Sequence, residues 1–191
     1  MKSRFLESFF AFLLCGSSAL AADYQAASPP IAEPFPWLSE VRLGALVHGL
    51  GSPERDGGVD LNGEVLFAKP FHVEGWNEAL IPRPHIGATA NFQGKTSTVY
   101  AGVTWHFDLF ESPFFAEVSS GGSLNNGELD DRHDDMNPLG CHLLFRESAS
   151  LGYQFDQHWS VMGTFEHNSN ANLCSENRGL SNLGVRVGYK F

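Results

Sequence analysis

From Val41 onward, apolar and polar residues alternate in short bursts. Val41, Leu43, Ala45 and Val47 form one stripe, against Arg42, Gly44, Leu46 and His48. Leu61, Val65 and Phe67 form a second, and Ile86, Ala88, Ala90 and Phe92 a third. Val99, Ala101, Val103, Trp105 and Phe107 make a fourth, and Phe114–Ser120 is a weaker fifth. Leu143, Phe145, Ala149, Leu151, Tyr153 and Phe155 follow, then Trp159, Val161, Gly163 and Phe165, and finally Leu183, Val185, Val187, Tyr189 and Phe191. Period two over segments of about ten residues predicts strands with one apolar and one mixed face. Eight such strands are predicted within residues 40–191.

Two architectures suit this pattern. A soluble sandwich hides the apolar faces inside, whereas an outer-membrane barrel turns them to lipid and keeps polar or small residues in its lumen. The mixed faces carry Arg42, Glu64, His106, Arg146, Glu166, Arg186 and Lys190, which suits a narrow polar lumen. Connections also differ in length: Asp156-Gln157-His158 is short, whereas 121–140 and 168–179 are long. Short periplasmic turns opposite long extracellular loops are a barrel trait. The closing Gly188-Tyr189-Lys190-Phe191 resembles the assembly signal of bacterial outer-membrane barrels. The expected fold is therefore an all-β, eight-stranded antiparallel outer-membrane barrel. An even strand count puts both termini in the periplasm.

The N-terminal segment fits export. Lys2 and Arg4 precede the apolar Phe9–Leu14, and Ala19-Leu20-Ala21 is an A-x-A-like cleavage site, so residues 1–21 read as a signal peptide. Cys15 makes a poor lipoprotein cysteine, because Leu14 stands where a small residue is wanted. Residues 22–39 hold Pro29, Pro30, Pro34 and Pro36 and read as an extended lead-in. Removing residues 1–21 takes away two bases and one acid, so a net charge of −10 becomes −11. Such a balance argues against nucleic acid as a partner, because those surfaces carry a basic stripe. Cys141 and Cys174 remain, and an oxidising compartment favours a disulfide between them.

Chemistry-bearing residues gather at the outer end of the seventh strand, in Phe165-Glu166-His167-Asn168-Ser169-Asn170-Ala171. His167 and Ser169 are two apart and share a strand face. A histidine so placed can serve as base to the hydroxyl, if the two side chains converge. Asn170 can offer a side-chain N–H to an oxyanion. The alternative is a polar strand end grading into a loop.

The segment from about Gly140 to Phe191 resembles the PagL-type lipid A 3-O-deacylases, the acyloxyacyl hydrolase family. The likeness rests on Glu166–Ala171, the following Asn/Gly-containing loop and the closing Gly184–Phe191 strand. It implies His167 as base, Ser169 as nucleophile and Asn170 in the oxyanion hole. It also implies an outer-membrane esterase that hydrolyses the 3-O-linked acyl chain of lipid A. The substrate is then lipopolysaccharide, the surroundings are outer-membrane lipids, and a homodimer is left open. No metal or other cofactor is expected, because a Ser–His pair generates its own nucleophile. One departure stands out. The family places its acid about fourteen residues after the histidine, and Ser181 with Asn182 stands there instead.

Strand register suggests a replacement. If Asp156-Gln157-His158 is the turn, Phe155 faces Trp159, and counting back along both strands sets Glu147 opposite His167. Directly opposed residues have Cβ atoms about 5 Å apart. Glu147 is therefore the candidate third member of the triad, with Glu176 in the next loop as an alternative. The same count sets Cys141 opposite Leu173, beside Cys174. The acidic run Asp130–Asp135 suits a divalent cation in residue type, but lacks a calcium-loop spacing and reads more simply as a solvated loop. His85, His106 and His142 show no ligand spacing. The competing functional reading is a small structural or adhesive barrel without catalysis; a soluble ligand-binding β protein is a more distant alternative.

Overall fold

The computed structural model describes residues 36–52, 56–132 and 135–191. The expected signal peptide and most of the lead-in lie outside the described residues. Eight antiparallel strands run β1 Leu38–His48, β2 Gly58–Phe67, β3 Arg83–Asn91, β4 Thr98–Asp108, β5 Phe114–Asn125, β6 Leu143–Gln154, β7 Trp159–Ser169 and β8 Leu180–Lys190. Each pairs with its sequence neighbours, and β1 pairs with β8 to close the barrel.

Closure satisfies the backbone of both would-be edge strands, the condition for spanning a bilayer with strands. Side-chain alternation then sorts every strand residue to lumen or membrane. Leu43, Leu61, Ile86, Val99, Leu143, Leu151 and Val185 point outward and are exposed. Near the end where β1 begins and β8 finishes, aromatic rings touch one another around the wall: Phe114 with Tyr153, Tyr153 with Phe155, and Tyr189 with Trp159 and Phe191. Such a girdle marks a membrane–water interface, where amphipathic rings settle. The long loops leave from the opposite end.

The lumen is packed with charge. Arg42 donates to Glu40 at 2.7 Å, to Glu64 at 3.2 Å and to Glu117 at 2.9 Å. Arg83 joins Glu40 and Glu117, at 2.8 and 2.9 Å. Higher up, Arg146 donates to Glu166 at 2.6 Å and lies 3.7 Å from the Tyr100 ring centroid. Arg186 sits 3.4 Å from Glu64 and 3.2 Å from Glu166. Four guanidinium groups thus alternate with four carboxylates, all buried. Burial would be costly for any one of them alone, but each is paired. Glycines make room: a Cβ at Gly152 would collide with the Phe115 ring.

The structure adds features that the alternation did not predict. The weak fifth burst continues to Asn125, so the loop after it begins at 126. β8 starts at Leu180 rather than at Leu183. The β2–β3 connection, at the end where β1 begins and β8 finishes, is long and holds the 3-10 turn Gly75–Leu80, against the expected short turns there. Glu78 braces that connection by accepting from the Val73 N–H at 2.9 Å and meeting Lys69 Nζ at 3.0 Å and His72 Nδ1 at 2.9 Å. The Val73 N–H, Lys69 and His72 hold the Glu78 carboxyl down to about 2.

The lumen network yields a prediction. Glu117 receives Arg42, Arg83 and His106. Glu117→Ala strands buried guanidinium charge and should destabilise the barrel by about 3–5 kcal/mol. Urea unfolding in phospholipid vesicles measures this. A midpoint equal to wild type would mean the lumen charges are solvated rather than mutually neutralised.

Candidate active site

The site forms at the end of the barrel opposite the start of β1 and the finish of β8, on the outer wall. β6, β7 and β8 hold it in register. Glu147 pairs with His167, and His167 pairs with Ser181, as the turn count required for the first pair. Ser120 on β5 pairs with Glu147. Ser120, Glu147, His167 and Ser181 therefore make one polar row across four strands, on an otherwise apolar face. The next row toward the loops is Gly122, Phe145 and Ser169. His167 and Ser169 are both half-buried and both face outward.

Hydrogen bonds divide the polar row into two pairs. Ser120 Oγ donates to Glu147 Oε1 at 3.0 Å. His167 Nδ1 lies 2.8 Å from Ser181 Oγ. Glu147 is thus beside the imidazole without a hydrogen bond to it. His167 and Ser169 share the face but are not hydrogen-bonded to each other. A bond between base and nucleophile commonly tightens only in the complex with substrate. Gly179, at φ +68°, supports the ring: a Cβ there would lie 2.9 Å from His167 Cε1. Asn182, beside Ser181, faces the lumen instead and donates to Asp60 and Glu166, at 3.2 and 3.1 Å.

Asn170 is placed differently from its expected role. Its side chain turns inward and is buried. Both amide hydrogens are taken, by the carbonyl oxygens of Leu139 at 2.7 Å and Glu176 at 2.5 Å. Its backbone N–H goes to Asn177 Oδ1 at 2.9 Å. The side chain is a clasp between two loops, not a free donor beside Ser169. The chain then turns through Ala171 and Asn172, at φ 53° and 62°. Consecutive left-handed residues other than glycine cost of order 1–3 kcal/mol each and persist only where surroundings impose them. The Leu173 N–H closes this turn on the Asn170 carbonyl at 3.0 Å. The N–H groups of Ala171 and Asn172, two and three residues beyond the serine, meet no acceptor among the described residues.

The clasp is reinforced covalently and by backbone bonds. Cys141 and Cys174 are joined, with Cα atoms 6.1 Å apart. The Arg178 N–H reaches the Pro138 carbonyl at 3.2 Å. Gly140, at φ +75°, must lack a Cβ, which would run into the Glu176 carbonyl oxygen. Glu176 enters the site region through that carbonyl. An apolar groove of about 450 Å³, lined by Gly122, Leu143, Phe145, Leu173 and the disulfide, reaches Phe145 and Asn170, the strand partner and the chain neighbour of Ser169. The acidic run is partly outside the described residues, and within it Arg132 pairs with Asp130 at 2.8 Å. Among the described residues no group of His, Cys, Asp and Glu is arranged to hold a metal ion.

An eight-stranded outer-membrane-type barrel with histidine and serine on its membrane-facing wall defines the class of protein. The model of the lipid A 3-O-deacylase (PagL) family matches residues 68–190. The chain belongs to that family of outer-membrane enzymes. Its fold resembles the outer membrane enzyme PagL, with a TM-score of 0.62 at 17% identity, over 78% of this chain and 98% of that one. It also resembles Neisserial surface protein A, with a TM-score of 0.55 at 14% identity, over 80% and 96% of the two chains. The N-terminal barrel domain of Pseudomonas aeruginosa OprF gives 0.52 at 12% identity, over 81% and 99%. A search of the curated proteins found no match.

The clasp generates a second prediction. Replacing Cys141 and Cys174 with serine together should leave the eight strands intact and lower stability by about 2–4 kcal/mol. The loops that flank Ser169 should become sensitive to protease while the barrel remains resistant. Unchanged protection of 170–179 in the double variant would show that the Asn170 hydrogen bonds hold the loop without the disulfide.

Proposed function

We propose that Ser169 is the nucleophile and His167 the general base in hydrolysis of the 3-O-linked acyl chain of lipid A. The observation that carries this reading is the placement of both side chains on the membrane-facing wall, at the loop end, beside an apolar groove. Lipid A is an amphiphile of the outer leaflet, so its ester linkages lie near the depth where an apolar wall meets polar loops. A hydrocarbon chain in the groove over Gly122 would bring its ester carbonyl to the row that holds Ser169.

In the proposed reaction His167 takes the Ser169 proton as Oγ attacks the ester carbonyl. As the ester C–O bond breaks, the imidazolium gives that proton to the departing sugar oxygen, which leaves as a hydroxyl. Water, activated by the same histidine, releases the fatty acid from the acyl-enzyme. Glu147, across the strand pair, is the proposed acid of the site: its charge favours the imidazolium form. The oxyanion role expected of Asn170 passes to the turn that it braces, where the Ala171 and Asn172 N–H groups are the proposed donors. Such preorganised donors act at the point where charge develops.

The test uses purified, folded barrel and lipid A in mixed micelles, with released hydroxy fatty acid as the readout. Ser169→Ala should reduce release by about 10⁴-fold or more, without unfolding. Glu147→Gln should fold and lose most of its rate. Release by Ser169→Ala at the wild-type rate would assign the chemistry to another residue. Full activity in Glu147→Gln would reduce Glu147 to an interfacial charge.

A further inference from the structure

We infer that Ser181 is the positioning residue that sets the tautomer of His167: its hydroxyl accepts the imidazole Nδ1–H and leaves Nε2 as the free base. The inference rests on the reading of His167 as the base for Ser169. Its evidence is separate from that reading.

Two contacts fix the ring along neighbouring edges. On one edge, Ser181 Oγ lies 2.8 Å from Nδ1, on the strand partner directly facing His167. On the other, the bare backbone of Gly179 receives the Cε1–Nε2 edge: a Cβ there would sit 2.9 Å from Cε1 and 3.4 Å from Nε2. With φ at +68°, Gly179 is also where a side chain would be strained, so the cradle suits glycine on both counts.

The candidate acid does not compete for Nδ1. Glu147 approaches from β6, the strand on the other side of β7, and its Oε1 already accepts the Ser120 hydroxyl. A neutral imidazole has one N–H and one lone pair, and the hydrogen bond at one nitrogen decides which is which. A hydroxyl at Nδ1 can accept that N–H without carrying charge toward lipid. This arrangement divides the work of the usual third triad member. Ser181 orients the ring, and Glu147 supplies charge. On the elements packed against His167, the ionisable side chains outside the lumen at this end are Glu147 on β6, and Glu176 and Arg178 on the β7–β8 loop; Arg146 on β6 and Arg186 on β8 are buried in the lumen, and Tyr153, Tyr189 and Lys190 lie at the far ends of β6 and β8. Glu166, its neighbour on β7, is turned into the lumen.

Ser181→Ala, Ser181→Thr and Ser181→Asp test the assignment, in the full barrel refolded in detergent. Imidazole ¹⁵N resonances, with His167 assigned through His167→Gln, report the tautomer without reference to activity. Wild type and Ser181→Thr should hold the proton on Nδ1, and Ser181→Ala should move it toward Nε2. In lipid A hydrolysis, Ser181→Ala should lower kcat about tenfold, the scale of one neutral hydrogen bond, with KM unchanged, and Ser181→Thr should restore it. The acid limb of the kcat/KM profile should move to lower pH in Ser181→Ala and to higher pH in Ser181→Asp. A wild-type proton on Nε2, or a Ser181→Ala variant with unchanged tautomer and kcat, overturns the inference. The expected tautomers in a wild-type protein that releases no acyl chain would support the positioning and count against the proposed reaction.

Discussion

A closed antiparallel ladder gives every strand residue one of two directions, into the lumen or out to the membrane. Nearly everything else in this molecule follows from that constraint. Because β1 pairs with β8, no strand has a free edge, and a one-residue slip anywhere would exchange the two faces. Register therefore decides at once which charges are buried together and which side chains meet lipid. Inside, it stacks Glu40, Glu64, Glu117 and Glu166 against Arg42, Arg83, Arg146 and Arg186. Outside, it lines up Ser120, Glu147, His167 and Ser181 in one row.

The two faces are coupled at β7 and β8. Glu166 and Asn182 face inward and are hydrogen-bonded to each other, while their neighbours His167 and Ser181 face outward and are hydrogen-bonded to each other. The lumen network thus anchors the same two strands that present the ring. Rigidity on the inside lets a polar pair hold its geometry on the outside, where lipid offers little support. The loops add the second restraint. The Cys141–Cys174 bond and the Asn170 amide pin the left-handed turn that follows Ser169.

Much of this was legible in the sequence, because period two is a strong signal over ten residues. It placed the eight strands, the polar lumen and His167 and Ser169 on one strand face. A short turn at 156–158 was enough to pair Glu147 with His167, and to bring Cys141 near Cys174. The misses have physical causes. Arg83 stands before Pro84 and Glu40 before the first stripe, so neither reads as a lumen residue by alternation. Glu117 sits in the fifth burst, where small residues blur the pattern. The long β2–β3 connection is held by Glu78 and its partners, a local device that carries no periodic signal. Asn170 follows the last residue of β7, where alternation no longer governs direction, and the carbonyls that claim its amide come from Leu139 in another loop and from Glu176 six residues ahead. Ser181 was visible as a position without an acid, but its bond to His167 required the β7–β8 register.

The central claim is that this barrel acts on lipid A at the outer leaflet through Ser169. Mass spectrometry of lipid A from cells that express the wild-type protein, compared with cells that express Ser169→Ala at equal levels in the outer membrane, tests it most directly. The account predicts that wild type alone yields lipid A lighter by one hydroxyacyl chain, with fragmentation locating the loss at the 3-position. Identical lipid A from both strains, or the same loss in both, would contradict it.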